Sequence, residues 1–221
     1  MLLDETGLIN ERFHSEFAPA EAMDALWAAG WRHFGHHFFR YNFSIHAGRV
    51  MRVLPLRVDL KRFTFSKGQR RNLRRNAELE LTIGPLGVTD ESRNLFEQHR
   101  LRFAEGRPER LEDFVPATAS ASPCETFQLS VRDGERLIAE SYFDLGERCA
   151  SSVFAMFDPA ITAAGLGIFT LLKEIEHSLD LGLDHFHLGY AYDGESFYDY
   201  KKRFRATEYF DWKGNWREFV K

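Results

Sequence analysis

Apolar positions along the chain change period several times, and the order of those changes predicts the secondary structure. Residues 19–30 carry a helical spacing that opens near Pro19 and stops at Gly30. Residues 31–41 and 48–58 read as strands rich in aromatic and β-branched side chains. Ser66 and Gln69 have the Ser-x-x-Gln spacing of a capping box and mark a helix start. A strand at 79–83 and a helix at 91–104 come next. Residues 105–123 hold no period and predict a linker or mobile loop.

The second half is more regular. Residues 126–132 form a strand, Asp133-Gly134 signals a hairpin, and 135–144 return antiparallel. Residues 149–157 make a third strand, broken by Asp158-Pro159. A glycine-containing turn at Gly165 and Gly167 leads into a periodic helix that runs to about residue 181. Gly182 caps it, and 185–190 form a fourth strand. An antiparallel meander, a glycine turn, a helix and a parallel return strand are the order of the GNAT acyltransferase core. The expected fold is therefore α/β (α+β), with a mixed, mostly antiparallel sheet flanked by helices and an N-terminal elaboration. The expected division is an accessory region at 1–64 and a transferase domain at 65–221.

Composition narrows the setting. The chain has 221 residues, 44% of them hydrophobic and 28% charged, as in folded soluble proteins. Its 21 phenylalanines point mainly to an aromatic core. Cys124 and Cys149 are the only cysteines and form no Cys-x-x-Cys pair, so neither a zinc ribbon nor a disulfide framework is indicated. No run of about 18 apolar residues and no signal-peptide pattern is visible, so a cytoplasmic protein without a membrane partner is expected.

Charge is the strongest functional cue. Between Lys61 and Asn76 lie 7 basic residues and no acidic one, in a chain of formal net charge −4. With the helix set by Ser66 and Gln69, Lys67, Arg70, Arg71, Arg74 and Arg75 share one face. A solvated surface helix ordinarily mixes signs. A face of guanidinium forks suits phosphate oxygens, and a localised basic stripe on an acidic body suits RNA.

Three other groups are candidates. Gly165 and Gly167 stand where a backbone can approach an anion at a helix N-terminus, either a coenzyme A pyrophosphate or an RNA 3′ end. The stretch from Leu188 to Arg205 interleaves tyrosines with cations, among them Tyr190, Tyr200 and Lys201, as base or ribose stacking requires. His33, His36, His37 and His46 are dense in sequence, yet scattered imidazoles on an aromatic sheet are the ordinary arrangement. No metal or cofactor is expected.

These residues carry a family resemblance. The chain resembles the arginyl-tRNA–protein transferases, and most closely their bacterial branch that transfers leucine to N-terminal Asp and Glu. The matching runs include residues 52–58, 65–76, 151–159, Leu166-Gly167, Glu174-Ile-Glu176, residues 181–183, Leu188-Gly-Tyr190, Tyr200-Lys201 and Phe204. They follow the family's order across roughly residues 25–216. The resemblance implies an aminoacyl-tRNA partner, an acceptor that is a protein N-terminus or a small-molecule amine, and no DNA. It implies tRNA contacts at Ser66, Lys67, Gln69, Arg70, Arg71, Arg74 and Arg75, and an acceptor-end pocket at Gly165, Gly167, Tyr190, Tyr200 and Lys201. Asp158, Tyr190, Asp193 and Glu195 are the catalytic candidates, unranked. The family keeps a cysteine cluster, associated with metal or iron–sulfur binding and acceptor reading, where this chain reads Tyr41 to Arg49 without cysteine. Residues 191–194 depart from the family as well. A coenzyme A–dependent N-acyltransferase, or a catalytically inactive tRNA-binding relative, are the alternatives. Weak coenzyme A binding beside salt-sensitive tRNA binding separates the first from the preferred reading.

Overall fold

The computed structural model describes residues 7–46, 48–103, 107–161 and 164–219. The N-terminal part holds β1 (Asn10–His14), α1 (Ala20–Ala28), β2 (Arg32–Phe34), β3 (His37–Tyr41), β4 (Phe43–His46) and β5 (Arg49–Asp59). Then come α2 (Lys67–Arg75), β6 (Glu80–Pro85) and α3 (Asp90–Arg100). The second half holds β7 (Glu125–Asp133), β8 (Arg136–Leu145), β9 (Cys149–Phe157), α4 (Leu166–Asp180) and β10 (His185–Tyr192). A 3-10 helix (Phe197–Arg203) leads to β11 (Thr207–Phe210) and β12 (Trp216–Glu218).

One sheet of nine strands dominates, in the order β12-β11-β5-β10-β9-β8-β7-β6, with β4 paired to β5. Antiparallel pairing prevails, and β9 and β10 are its parallel neighbours. The parallel return with α4 as crossover is the GNAT arrangement read from the sequence. A small antiparallel sheet, β1-β3-β2, sits at its side.

The domain division needs correction. β5 belongs to residues assigned to an accessory region, yet it lies in the main sheet between β11 and β10. Its Val53, Leu54, Leu56 and Val58 are buried, so the sheet would lose a central strand without it. Residues 31–41 form two strands rather than one, because Gly35 (φ +51°) turns the chain between β2 and β3. Residues 107–123, expected to be loose, include two 3-10 turns and bury Leu111 and Val115 against Phe96 and Tyr142. Their packing is apolar but follows no period, which is why the pattern missed it.

Helix ends follow the local signals. The Ser66 hydroxyl accepts from Gln69 N (3.2 Å), and Ser66 N donates to the Gln69 side chain (2.7 Å). After α4, Gly182 takes φ +71° and Leu183 N donates to Ser178 O at 3.1 Å, closing a Schellman turn. Along α4, Phe169, Leu172 and Ile175 are buried against the sheet, each contributing roughly 1.5–3 kcal/mol. Glu174 occupies the same buried stripe, and that exception leads to the site.

Candidate active site

β9 and β10 pair only where His185, Phe186 and His187 face Cys149, Ala150 and Ser151. Beyond that, β10 continues with β5 to Tyr192, while β9 continues with β8. Register breaks fall at the fork, between His187 and Gly189 on β10 and between Tyr142 and Phe143 on β8, opposite Ser152. The two parallel strands therefore splay, and a gap opens in the middle of the sheet.

The side chains of Arg32 and Lys201 meet in that gap. Arg32 reaches in from β2, and its Nη2 donates to the carbonyl oxygens of Ser152 (3.0 Å) and Val153 (3.1 Å), which have lost their strand partner. Its guanidinium lies 5.7 Å from the Phe34 ring centroid and 5.8 Å from that of Tyr190. Lys201, from the 3-10 helix, donates to the Tyr190 carbonyl at 3.3 Å and sits 5.2 Å from the Tyr198 ring. Gly189 makes room for both cations. It holds φ +82°, and a Cβ there would overlap Arg32 Nη1 and come within 3.3 Å of Lys201 Nζ. Only glycine satisfies that backbone and that contact together.

Electrostatics mark the same place. Burial, reinforced by the Arg32 charge, lowers the Lys201 ammonium to about 7. Burial raises the Glu174 carboxyl to about 8, against the pull of the Ser141 and Ser152 hydroxyls. Those hydroxyls approach without closing a hydrogen bond: neither Glu174 oxygen has a partner among the described residues, and Ser141 Oγ has none. Burial also pushes the Tyr200 phenol up to about 12. Two cations set into the splay can stabilise a developing oxyanion, and a low-dielectric surrounding strengthens that effect.

The basic helix is attached to this region. Asn72 Nδ2 donates to the carbonyls of Ala164 (3.1 Å) and Gly165 (3.2 Å), and Asn76 Nδ2 donates to Ala164 O (3.0 Å). α2 is thereby fixed against the start of α4. Lys67, Arg70, Arg71, Arg74 and Arg75 are all exposed on its outer side. Ser66 and Gln69, expected to touch tRNA, are engaged with each other in the cap. The two loop glycines have packing reasons of their own. Gly165 takes φ +63°, and a Cβ there would stand 2.8 Å from Asn72 Nδ2; one on Gly167 would stand 2.8 Å from the Phe157 ring.

The carboxylate candidates lie elsewhere. Asp158 is buried in an ion pair with Arg136 and accepts from Ala160 N at 2.8 Å, which makes it the anchor of the turn after β9. Asp193 exchanges bonds with the Arg52 backbone (3.0 and 3.1 Å), and Glu195 is exposed. None of the three faces the gap. Tyr190 borders it with its ring, but its hydroxyl donates away, to Gly30 O at 2.7 Å. Burial raises that phenol further. The four histidines do not converge on one point: His33 bonds buried Asp144 (2.8 Å), His36 pairs with exposed Glu16 (3.5 Å) and, like His37, lies against the His14 ring, and His46 stacks on Tyr192 (4.8 Å).

Of the gap residues, the sequence singles out Lys201 but neither Arg32 nor Glu174. Arg32 meets Gly189 only through tertiary packing. Glu174 carried a usable signal: an acidic residue in the apolar stripe of a helix that buries Leu171, Leu172 and Ile175.

Comparison with known proteins gives one family. The family model for the arginine-tRNA-protein transferase C terminus matches residues 91–211. An aspartate/glutamate leucyltransferase of Stenotrophomonas maltophilia (strain K279a) is 31% identical over 182 residues, covering 79% of this chain and 72% of its own length. One from Marinobacter nauticus is 27% identical over 221 residues, covering 99% of this chain and 87% of itself. Among solved structures, L-PGS from Bacillus licheniformis aligns with TM-score 0.52 at 14% identity over 75% of this chain and 57% of that one. FemX aligns with TM-score 0.51 at 8% identity over 87% and 67% respectively. At such identities these two similarities concern the fold.

Proposed function

Since the chain belongs to the arginine-tRNA-protein transferase family, we propose that it is an aminoacyltransferase. It moves an amino acid from a charged tRNA onto the α-amine of a protein N-terminus. The observation that carries this reading is the docking of a helix whose charged residues are all basic, through Asn72 and Asn76, beside a sheet gap holding Arg32 and Lys201. Phosphates on α2 would bring the acceptor end of the tRNA toward the splay.

In the reaction, the acceptor amine attacks the ester carbonyl carbon. The carbonyl oxygen takes the electron pair and returns it as the C–O bond to the ribose breaks. The departing ribose oxygen ends with the proton that the attacking amine loses, and an amide forms. The ester is already activated, so catalysis rests on positioning and on the oxyanion. In this reading Lys201 Nζ and the Arg32 guanidinium hold that oxygen. The relatives' names include aspartate and glutamate, and a cationic gap suits an acceptor whose first residue is acidic. That acceptor class is our reading for this chain too.

The test is transfer itself. The protein is incubated with leucyl-, arginyl- and other charged tRNAs and a peptide library varied at its first residue, then analysed by mass spectrometry. Extension of peptides with N-terminal Asp or Glu is expected, and acetyl-coenzyme A in place of charged tRNA should yield no product. Acylation from coenzyme A without any from tRNA would reverse the assignment.

A further inference from the structure

Neither carboxylate oxygen of Glu174 closes a hydrogen bond among the described residues. The residue is fully buried on α4, in a stripe where an apolar side chain would pack without cost. An unpaired carboxylate in such surroundings is expensive, whether ionised or protonated. The nearby Ser141 and Ser152 hydroxyls and Lys201 offset its burial only in part. That ammonium is instead directed to the Tyr190 carbonyl, on the gap side.

We propose that Glu174 is the seat for the α-ammonium group of an amino-acid residue brought into the gap, which rests on the aminoacyl-transfer reading above. An ammonium has three N–H donors. The two Glu174 oxygens and Ser141 Oγ offer three acceptors that the chain leaves unpartnered. Ser152, at the fork where β9 leaves β10, borders the same place. The seat answers a problem the two cations create. An aminoacyl ester and a protein N-terminus both carry an α-ammonium, which Arg32 and Lys201 alone would repel. A carboxylate behind them admits it, while an acyl group without an amine gains nothing there. The donor ester and the acceptor N-terminus are the two sources of this one chemical group.

Protonation sharpens the expectation. The groups facing Glu174 are Ser141 on β8, Ser152 on β9, Lys201 and Tyr200 on the 3-10 helix, and more distantly Asp144. Burial outweighs their influence, so the free seat is a carboxylic acid at pH 7 and ionises when an ammonium arrives. Ligand binding should then release a proton.

Glu174→Gln tests this with little damage, because the amide mimics the protonated acid. For the donor, rates from leucyl-tRNA are compared with those from the analogue whose α-ammonium is replaced by hydroxyl. For the acceptor, inhibition by a peptide is compared with that by its N-terminal hydroxy-acid counterpart. Wild type should prefer the ammonium form in one arm, and Gln should reduce that preference roughly 10- to 100-fold. The affected arm identifies the source. Glu174→Asp should keep the preference in weakened form. Calorimetry with the preferred ligand, in buffers of different ionisation enthalpy, should show proton release from wild type and none from the Gln variant. Unchanged preference and unchanged proton release in an active Gln variant overturn the proposal and leave the transferase reading intact. A Gln variant altered only in thermal stability makes Glu174 structural and also overturns it. A wild type that transfers from no charged tRNA overturns both.

Discussion

Gly189 shows how much one missing Cβ can decide. Its left-handed backbone costs an L-residue roughly 1–2 kcal/mol, and the added methyl would occupy the Arg32 guanidinium. Gly189→Ala should lower unfolding free energy by at least about 2 kcal/mol and abolish transfer. Adding Arg32→Ala should recover part of the stability but none of the transfer, as urea unfolding and a transfer assay would show. Glu174 and Lys201 give opposite pH signatures. Glu174 titrates at about 8 when folded, above its unfolded value, so its contribution falls as pH rises from the unfolded value towards 8. Glu174→Gln should remove that decline, becoming more stable relative to wild type across this window. Lys201 titrates at about 7, below its unfolded value, so its contribution rises with pH between 7 and the unfolded value. Lys201→Met should flatten that rise. Parallel stability–pH curves for wild type and both variants would contradict this account of the gap.

At the scale of elements, α2 was the most legible part of the chain. Its start followed from Ser66 and Gln69, and its exposed basic face from helical spacing alone. Local rules suffice where the partners are three or four residues apart. They also served for the β7-β8-β9 meander and for the Gly182 cap. They failed for β5, whose place in the main sheet depends on pairing with β10 and β11, more than 100 residues away in sequence. The gap residues failed for the same reason: Arg32 and Gly189 are joined by packing that no window along the chain contains. Asp158 and Asp193 look catalytic by position near strand ends, but Asp158 fixes the turn after β9 through Ala160 N, and Asp193 bonds the Arg52 backbone on β5. The prediction at this scale concerns Arg70 and Arg74, exposed and outside the core. Replacing both by Ala should leave stability unchanged and lower the salt slope of tRNA binding by about one for each phosphate that is no longer neutralised. An unchanged slope, measured by filter binding across a salt series, would remove α2 from the tRNA interface.

At the scale of the molecule, the central sheet joins two functions that the sequence presents far apart. Through the start of α4 it fixes the basic helix α2, and at its fork it receives Arg32 from β2. No helix among the described residues is long and apolar enough to cross a membrane. The concentration of seven basic residues in one stretch leaves the remainder of the chain acidic, which favours one oriented encounter with RNA over general adhesion. In the proposed reaction the pair of basic groups in the splay holds the oxyanion. The most direct test is single-turnover transfer by Lys201→Met with saturating charged tRNA. The account predicts unchanged tRNA affinity and a chemical step slower by roughly 10²–10³, the loss typical of removing one oxyanion-stabilising group. A Lys201→Met protein that folds, binds tRNA and transfers at the wild-type rate would contradict it.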